Sequence, residues 1–167
     1  MILTGPEIIK EVKSGNVFIE PFLPDQVNPN SYNYRLGDSI KIYCGFDGKK
    51  SIFKEVEIPS QDGLVLFPGK MYLANTYEVI GSKKYAMSLI GRSSIGRFGL
   101  FLQQSANLGH TTACHRWTLE MYACLPFRVY PRMKIGQVSF WTNQGKINNY
   151  SGKYGHCSAI KESQTTW

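Results

Sequence analysis

No apolar run in this sequence reaches the ~18 residues that a membrane-crossing helix needs, so no membrane partner is expected. Met1-Ile2-Leu3 leads into helix-forming sequence and not into a secretory signal. The four cysteines, Cys44, Cys114, Cys124 and Cys157, contain no C-x-x-C pair and read as reduced thiols of a cytoplasmic protein. No block of five or more like charges occurs, which leaves a nucleic-acid-binding tail without support. There is no internal repeat, low-complexity tract or linker. The 167 residues therefore read as one domain, residues 1–167, able to bury a core without disulfides.

What the chain has in quantity is aromatic and turn-forming sequence: ten Tyr, nine Phe, 16 Gly and eight Pro. That mixture favours short strands joined by many turns. The net charge of +7 points either to a polyanionic partner or to a merely basic surface. Without a charged tail, a concentrated phosphate pocket is the sharper form of the first reading.

Thr4-Gly5-Pro6-Glu7 reads as a helix start. Thr4 stands at the N-cap, Pro6 in the first turn and Glu7 at the capping-box position. Ile8, Ile9 and Val12 form the apolar stripe, and Gly15 ends it. Strands are then predicted at 17–20, 32–36, 39–43, 53–58, 64–67, 71–75, 78–80, 85–90, 100–103, 117–122, 127–130 and 137–141. Gly37-Asp38 is read as one of the turns. A short helix is expected over 93–98. Spacings of roughly 8–12 residues with turn signals between them indicate an all-β sandwich or barrel. From residue 143 the chain turns polar and Gly-rich and reads as a C-terminal arm, 143–167.

Gly91-Arg92-Ser93-Ser94-Ile95-Gly96-Arg97-Phe98-Gly99 packs two arginines, two serines and three glycines into nine residues. Glycines let backbone N–H groups approach a ligand, and hydroxyls and guanidinium forks donate to phosphate oxygens. Spacing alone leaves two readings open: a phosphate cradle, or a Gly-rich turn with exposed arginines. Further on, Arg116-Trp117-Thr118-Leu119-Glu120-Met121-Tyr122 alternates. Trp117, Leu119 and Met121 fall on one face, and Thr118, Glu120 and Tyr122 on the other. Glu120 is a lone acid in an aromatic strand. It reads as a proton shuttle or as an ordinary strand glutamate. His110, Cys114 and His115 raise a zinc reading, but only three ligands lie close together.

These motifs resemble those of the dCTP deaminases, members of the trimeric dUTPase superfamily. The resemblance is carried by Arg92-Ser93-Ser94-x-Gly96-Arg97-x-Gly99-Leu100 followed by Thr118-Leu119-Glu120. Ile19-Glu20-Pro21-Phe22, Asn30-Ser31-Tyr32-Asn33-Tyr34-Arg35-Leu36-Gly37, Pro131-x-Met133-x-Ile135-Gly136-Gln137 and Tyr150-x-Gly152-Lys153-Tyr154 extend it. It implies a dUTPase-like distorted β-barrel or jelly roll with a short N-terminal helix and a C-terminal arm. The implied reaction is hydrolytic deamination of a cytosine deoxynucleotide, dCTP to dUTP and ammonia, by a glutamate-activated water without zinc.

By the same resemblance Glu120 is the acid–base residue. Ser93 and Arg97 bind phosphates or position the water, and Arg92, Ser94 and Gly96 complete the cradle. Trp117, Thr118, Leu119 and His110 belong to the nucleotide site, and Tyr150 and Lys153 on the arm close over the triphosphate. Mg²⁺ travels with the phosphates, and a homotrimer with sites between subunits is implied.

The chain departs from the family's pattern between cradle and acid. His110 stands where the family has an aspartate that contacts the deoxyribose 3′-hydroxyl and is central to dUTPase chemistry. Thr111 and Thr112 replace Pro-Gly, and Leu108 stands where deamination-only members carry arginine. Asn33 and Cys157 replace an Asp and a Gln. Three readings follow: a divergent deaminase with dCTP as default substrate; a deaminase that also cleaves the triphosphate, or a plain dUTPase, against which the missing aspartate weighs; and a non-catalytic nucleotide-binding relative.

Overall fold

The computed structural model describes residues 1–152, 154–155 and 158–163. Helix α1 (Gly5–Lys13) begins with Pro6 in its first turn and buries Ile8 against the sheets. Thr4 occupies the N-cap with extended backbone, but its hydroxyl makes no capping hydrogen bond. Glu7 pairs with Lys10 at 2.9 Å, so the expected capping box does not form. The i,i+3 ion pair competes for the same carboxylate.

Thirteen strands follow: β1 (Val17–Glu20), β2 (Tyr32–Phe46), β3 (Ser51–Glu57), β4 (Leu64–Leu66), β5 (Met71–Thr76), β6 (Val79–Ser82), β7 (Tyr85–Gly91), β8 (Leu100–Leu102), β9 (Leu108–Gly109), β10 (Cys114–His115), β11 (Thr118–Ala123), β12 (Phe127–Val129) and β13 (Lys134–Thr142). A one-turn helix α2 (Ser93–Gly96) sits between β7 and β8. The main sheet runs β8-β11-β5-β2-β13-β7-β9, with β3 also on β2. It curls into a half-barrel, in keeping with the all-β architecture expected from the sequence. Smaller sheets, β1-β6-β10 and β12-β4, complete the fold. Among the described residues no helix is long and apolar enough to cross a membrane.

The core follows the two-residue period of the strands. Tyr32, Tyr34, Leu36 and Ile40 from β2 are fully buried with Met87, Leu89, Leu119, Met121, Val138 and Phe140. Contrary to expectation, Gly37-Asp38 is not a turn. Strand β2 runs straight through it, with a register shift against β5 between Leu36 and Ile40. The missing side chain at Gly37 admits Asn75, whose amide fills the space a β-carbon would take. Glycine here serves close approach and not chain reversal.

Gly136 plays the same part for Tyr34. A methyl group at Gly136 would overlap the Tyr34 ring. That ring is fully buried, and its hydroxyl donates to the Ile90 carbonyl at 3.0 Å. Burial pushes the phenol far above its ordinary pKa, so it stays a donor at every working pH. Gly136→Ala is therefore expected to cost about 2–3 kcal/mol by overpacking. Urea unfolding checks this as a lower midpoint at unchanged slope; an unchanged midpoint would show that the ring can step aside.

The described part of the C-terminal arm lies back across the main sheet. Ile160 is buried. The Lys161 N–H donates to Thr118 Oγ1 at 3.2 Å, and Lys41 pairs with Glu162 at 3.0 Å.

Candidate active site

Strand β11 sorts its side chains as its alternation requires. Leu119, Met121 and Ala123 face the core, while Thr118 and Glu120 are half-buried on the other face. That second face opens into a cavity of about 530 Å³. Leu73 and Phe53 form part of its apolar lining; His110, Trp117 and Tyr150 supply aromatic walls.

Glu120 is held by its main chain. It pairs with Leu73 of β5, its N–H donates to Gln103 Oε1 at 2.6 Å, and its carbonyl accepts from the Gln103 N–H at 3.0 Å. Gln103 adopts a left-handed backbone (φ 51°) just after β8, and its Nε2 donates to the Ala106 carbonyl at 3.2 Å. The Glu120 carboxylate itself has no ion pair or hydrogen bond among the described residues. A half-buried acid with nothing to hold it is available to a ligand.

The walls are fixed more tightly. The Trp117 indole N–H donates to the Ile80 carbonyl and its main-chain N–H to Thr76 Oγ1, both at 2.9 Å. His115 leans on the indole with ring centroids 4.2 Å apart. His110 stacks on Tyr150 at 4.8 Å and 15°. The Tyr150 N–H is tied to Thr112 Oγ1 at 2.9 Å, so the arm reaches the cavity of its own chain.

The serine–arginine loop lies elsewhere. Ser93, Ser94 and Arg97 are exposed around α2, with Gly96 half-buried and Ile95 anchoring the turn in the core. Arg92 donates to the Lys134 carbonyl at 3.1 Å. None of these residues lines the cavity. The loop enters β8 beside Ala123 and Cys124, at the C-terminal end of β11, whereas Glu120 lies mid-strand. Ala123 is three strand steps from Glu120, about 10 Å.

The structure thus gathers Glu120, Thr118, Trp117, His110 and Tyr150 and leaves Arg92, Ser93, Ser94, Gly96 and Arg97 apart. Leu119, expected at the nucleotide site, points its side chain into the core, as the alternation of the strand requires of a neighbour of Glu120. Lys153 and Cys157 fall outside the described residues.

Sequence reasoning passed over Gln103, Leu73, Lys50, Phe53, Lys161 and Glu162, all cavity-lining. Only Gln103 carries a local signal, a polar residue following an apolar strand. The others come from distant segments that only tertiary pairing brings in. His110, Cys114 and His115 do not converge: among the described residues no three His, Cys, Asp or Glu side chains group as a metal-ligand set.

A family model described as dCTP deaminase-like matches residues 2–143. The dUMP-forming dCTP deaminase of Cytophaga hutchinsonii is 43% identical over 166 residues, covering 98% of this chain and 95% of that protein. Its counterpart in Hathewaya histolytica is 41% identical over 167 residues, covering 98% and 96%. The chain belongs to the dCTP deaminase-like family.

The family match stops at residue 143, where the arm of this dCTP deaminase-like chain begins. Its fold is also that of a crystal structure of 2′-deoxycytidine 5′-triphosphate deaminase from Agrobacterium tumefaciens. The TM-score is 0.68 at 22% identity, covering 88% of this chain. The chain spans half the length of that neighbour. Glu120 is the one carboxylate that β11 places in the cavity.

Proposed function

We propose that the protein hydrolytically deaminates dCTP in the cytoplasm, with Glu120 as the acid–base residue. The observation that carries this reading is the Glu120 carboxylate, half-buried and unpaired among the described residues, in a cavity of about 530 Å³. Small-molecule sites commonly span roughly 300–1,000 Å³. Glu120 takes a proton from water as the oxygen attacks C4 of the cytosine ring, and the proton passes to N3. The tetrahedral carbon then gives its hydroxyl proton to the departing amine by way of Glu120. Ammonia leaves and a uracil ring remains. One carboxyl group acts as base and then as acid, and zinc has no part.

Ser93, Ser94 and Arg97 grip the phosphates, with Arg92 and Gly96 shaping the loop. Because they lie apart from the cavity of their own chain, the loop is contributed by a neighbouring copy in a homotrimer. Phe98 and Leu125, 65% and 58% exposed beside the loop, are the kind of surface a neighbour covers. Mg²⁺ enters with the triphosphate as part of the substrate. His110 and Tyr150 stack at the cavity wall, and Trp117 and Thr118 border the acid.

The product is read as dUTP, because His110 stands where a diphosphatase-competent relative would carry a carboxylate. A second reading, release of dUMP and pyrophosphate, is favoured by the names of the relatives and by Leu108 in place of arginine. Incubation with dCTP and Mg²⁺, followed by separation of nucleotides and assay of ammonia, distinguishes them. Ammonia with dUTP is the expected result. Ammonia with dUMP and pyrophosphate establishes the second reading, and bound but unchanged dCTP refutes both.

A further inference from the structure

Away from the cavity, three arginines from three parts of the sequence converge on one tyrosine. Tyr77 lies in the turn between β5 and β6. The guanidinium carbons of Arg132, Arg35 and Arg116 stand 4.6, 4.7 and 6.0 Å from its ring centroid. None of the four residues lines the Glu120 cavity. Two cations are compensated: Arg35 pairs with the fully buried Glu78 at 2.6 Å, and Arg132 with Asp38 at 3.1 Å. Among the described residues the Arg116 guanidinium meets no carboxylate. Arg35 Nη2 is the one buried side-chain nitrogen or oxygen there without a hydrogen-bond partner.

The backbone also holds one of these arginines in an unfavourable conformation. Arg132 has φ 59°, a region costly for a side-chain-bearing residue, and is kept there by its N–H bond to the Leu36 carbonyl at 3.0 Å. A strained residue that carries a cation toward two others is a reason to look for a ligand. Tyr77 offers its ring to all three cations, and the orphaned Arg35 Nη2 adds a donor that an acceptor would satisfy.

We propose that Arg35, Arg116 and Arg132 around Tyr77 form an oxyanion-binding site, separate from the nucleotide cavity, for inorganic phosphate or a closely similar tetrahedral anion. Guanidinium forks suit such anions. The site uses cations that the deamination chemistry leaves idle in a chain of net charge +7.

Inorganic phosphate titrated into the full chain at constant ionic strength tests it. Arg116→Gln and Arg132→Gly are each expected to weaken binding at least about tenfold. Glycine relieves the backbone at 132, so that variant is expected to fold, with a thermal midpoint at or above the parent's. Arg128→Gln, which belongs to neither the Tyr77 cluster nor the Ser93–Arg97 loop, is expected to bind phosphate as the parent does. A parallel titration with dUMP separates a free anion from a nucleotide phosphate: affinity for dUMP that ignores Arg116 and Arg132 keeps the site to free anions. No binding, or binding that Arg116→Gln and Arg132→Gly retain and Arg97→Gln alone loses, overturns the proposal, as does binding that all of these variants retain. The second outcome would place the anion on the Ser93–Arg97 loop. None of these outcomes touches the assignment of Glu120, which is read by ammonia release.

Discussion

Glu120→Gln is expected to reduce ammonia release from dCTP by about 10³-fold, within the 10²–10⁴-fold range of a positioned acid–base group. The amide has the shape of the carboxyl but cannot take a proton from water. The substitution is clean for structural reasons. Strand register with Leu73 and the double grip of Gln103 act on the Glu120 main chain, not on its side chain. No ion pair or hydrogen bond to the carboxylate among the described residues is broken, so no buried partner is orphaned. Stability should therefore stay within about 0.5 kcal/mol of the parent. Binding of dCTP, measured by calorimetry, should change only a few-fold if, as proposed, the phosphates are held by the Ser93–Arg97 loop. An ordinary strand glutamate would behave differently, with turnover unaffected. Retained turnover in this variant removes Glu120 from the chemistry whatever the product.

Much of this was legible in the residue order, for reasons that individual elements make plain. The alternation of 117–122 separated Leu119 and Met121 from Thr118 and Glu120, because a strand offers only two faces. The strand itself begins one residue later, at Thr118, and Trp117 hangs at its edge between core and cavity. The loop was recognisable from its composition, and its exposed hydroxyls and Arg97 guanidinium agree with either of its readings. The helix start was visible in Pro6, while its capping box was not realised because Lys10 claims Glu7.

What the residue order hid was tertiary. Gly37-Asp38 has the composition of a turn, but the deciding neighbour is Asn75, thirty-eight positions away. The short strands β9 and β10 consist of two residues each and carry no periodicity to detect. Gln103 reaches Glu120 only because β8 and β11 pair antiparallel. Likewise the arm's return over Thr118 and Lys41 depends on contacts spanning 43 and 121 positions. The Tyr77 cluster assembles residues 35, 77, 116 and 132, and no sequence window contains two of them with their purpose evident. Local pattern reports faces and turns; long-range pairing decides which faces meet.

The loop's distance from the acid leads to the other large effect. Chains carrying Arg97→Ala and chains carrying Glu120→Gln are each expected to be nearly inactive alone and to recover activity when assembled together. One variant retains the acid and the other retains the loop. If each site takes its cavity from one chain and its cradle from the next, every mixed trimer holds roughly one intact site in three. Activity would then rise from background to about that share of the parent's. The structural basis is the antiparallel ladder of β8 on β11, which holds the loop beside Ala123, three positions along the strand from Glu120. A hydrogen-bonded ladder does not slide in small steps, since a one-residue slip would turn Leu119 and Met121 out of the core and Glu120 into it. The loop therefore cannot drift toward Glu120 of its own chain without unfolding β11. Co-expression of the two variants, purification of the mixed oligomer by two different tags and assay of ammonia release give the answer. Recovery requires sites built between chains. Mixed oligomers as inactive as either parent variant would mean that loop and acid serve the same chain, with the nucleotide itself spanning the gap between them.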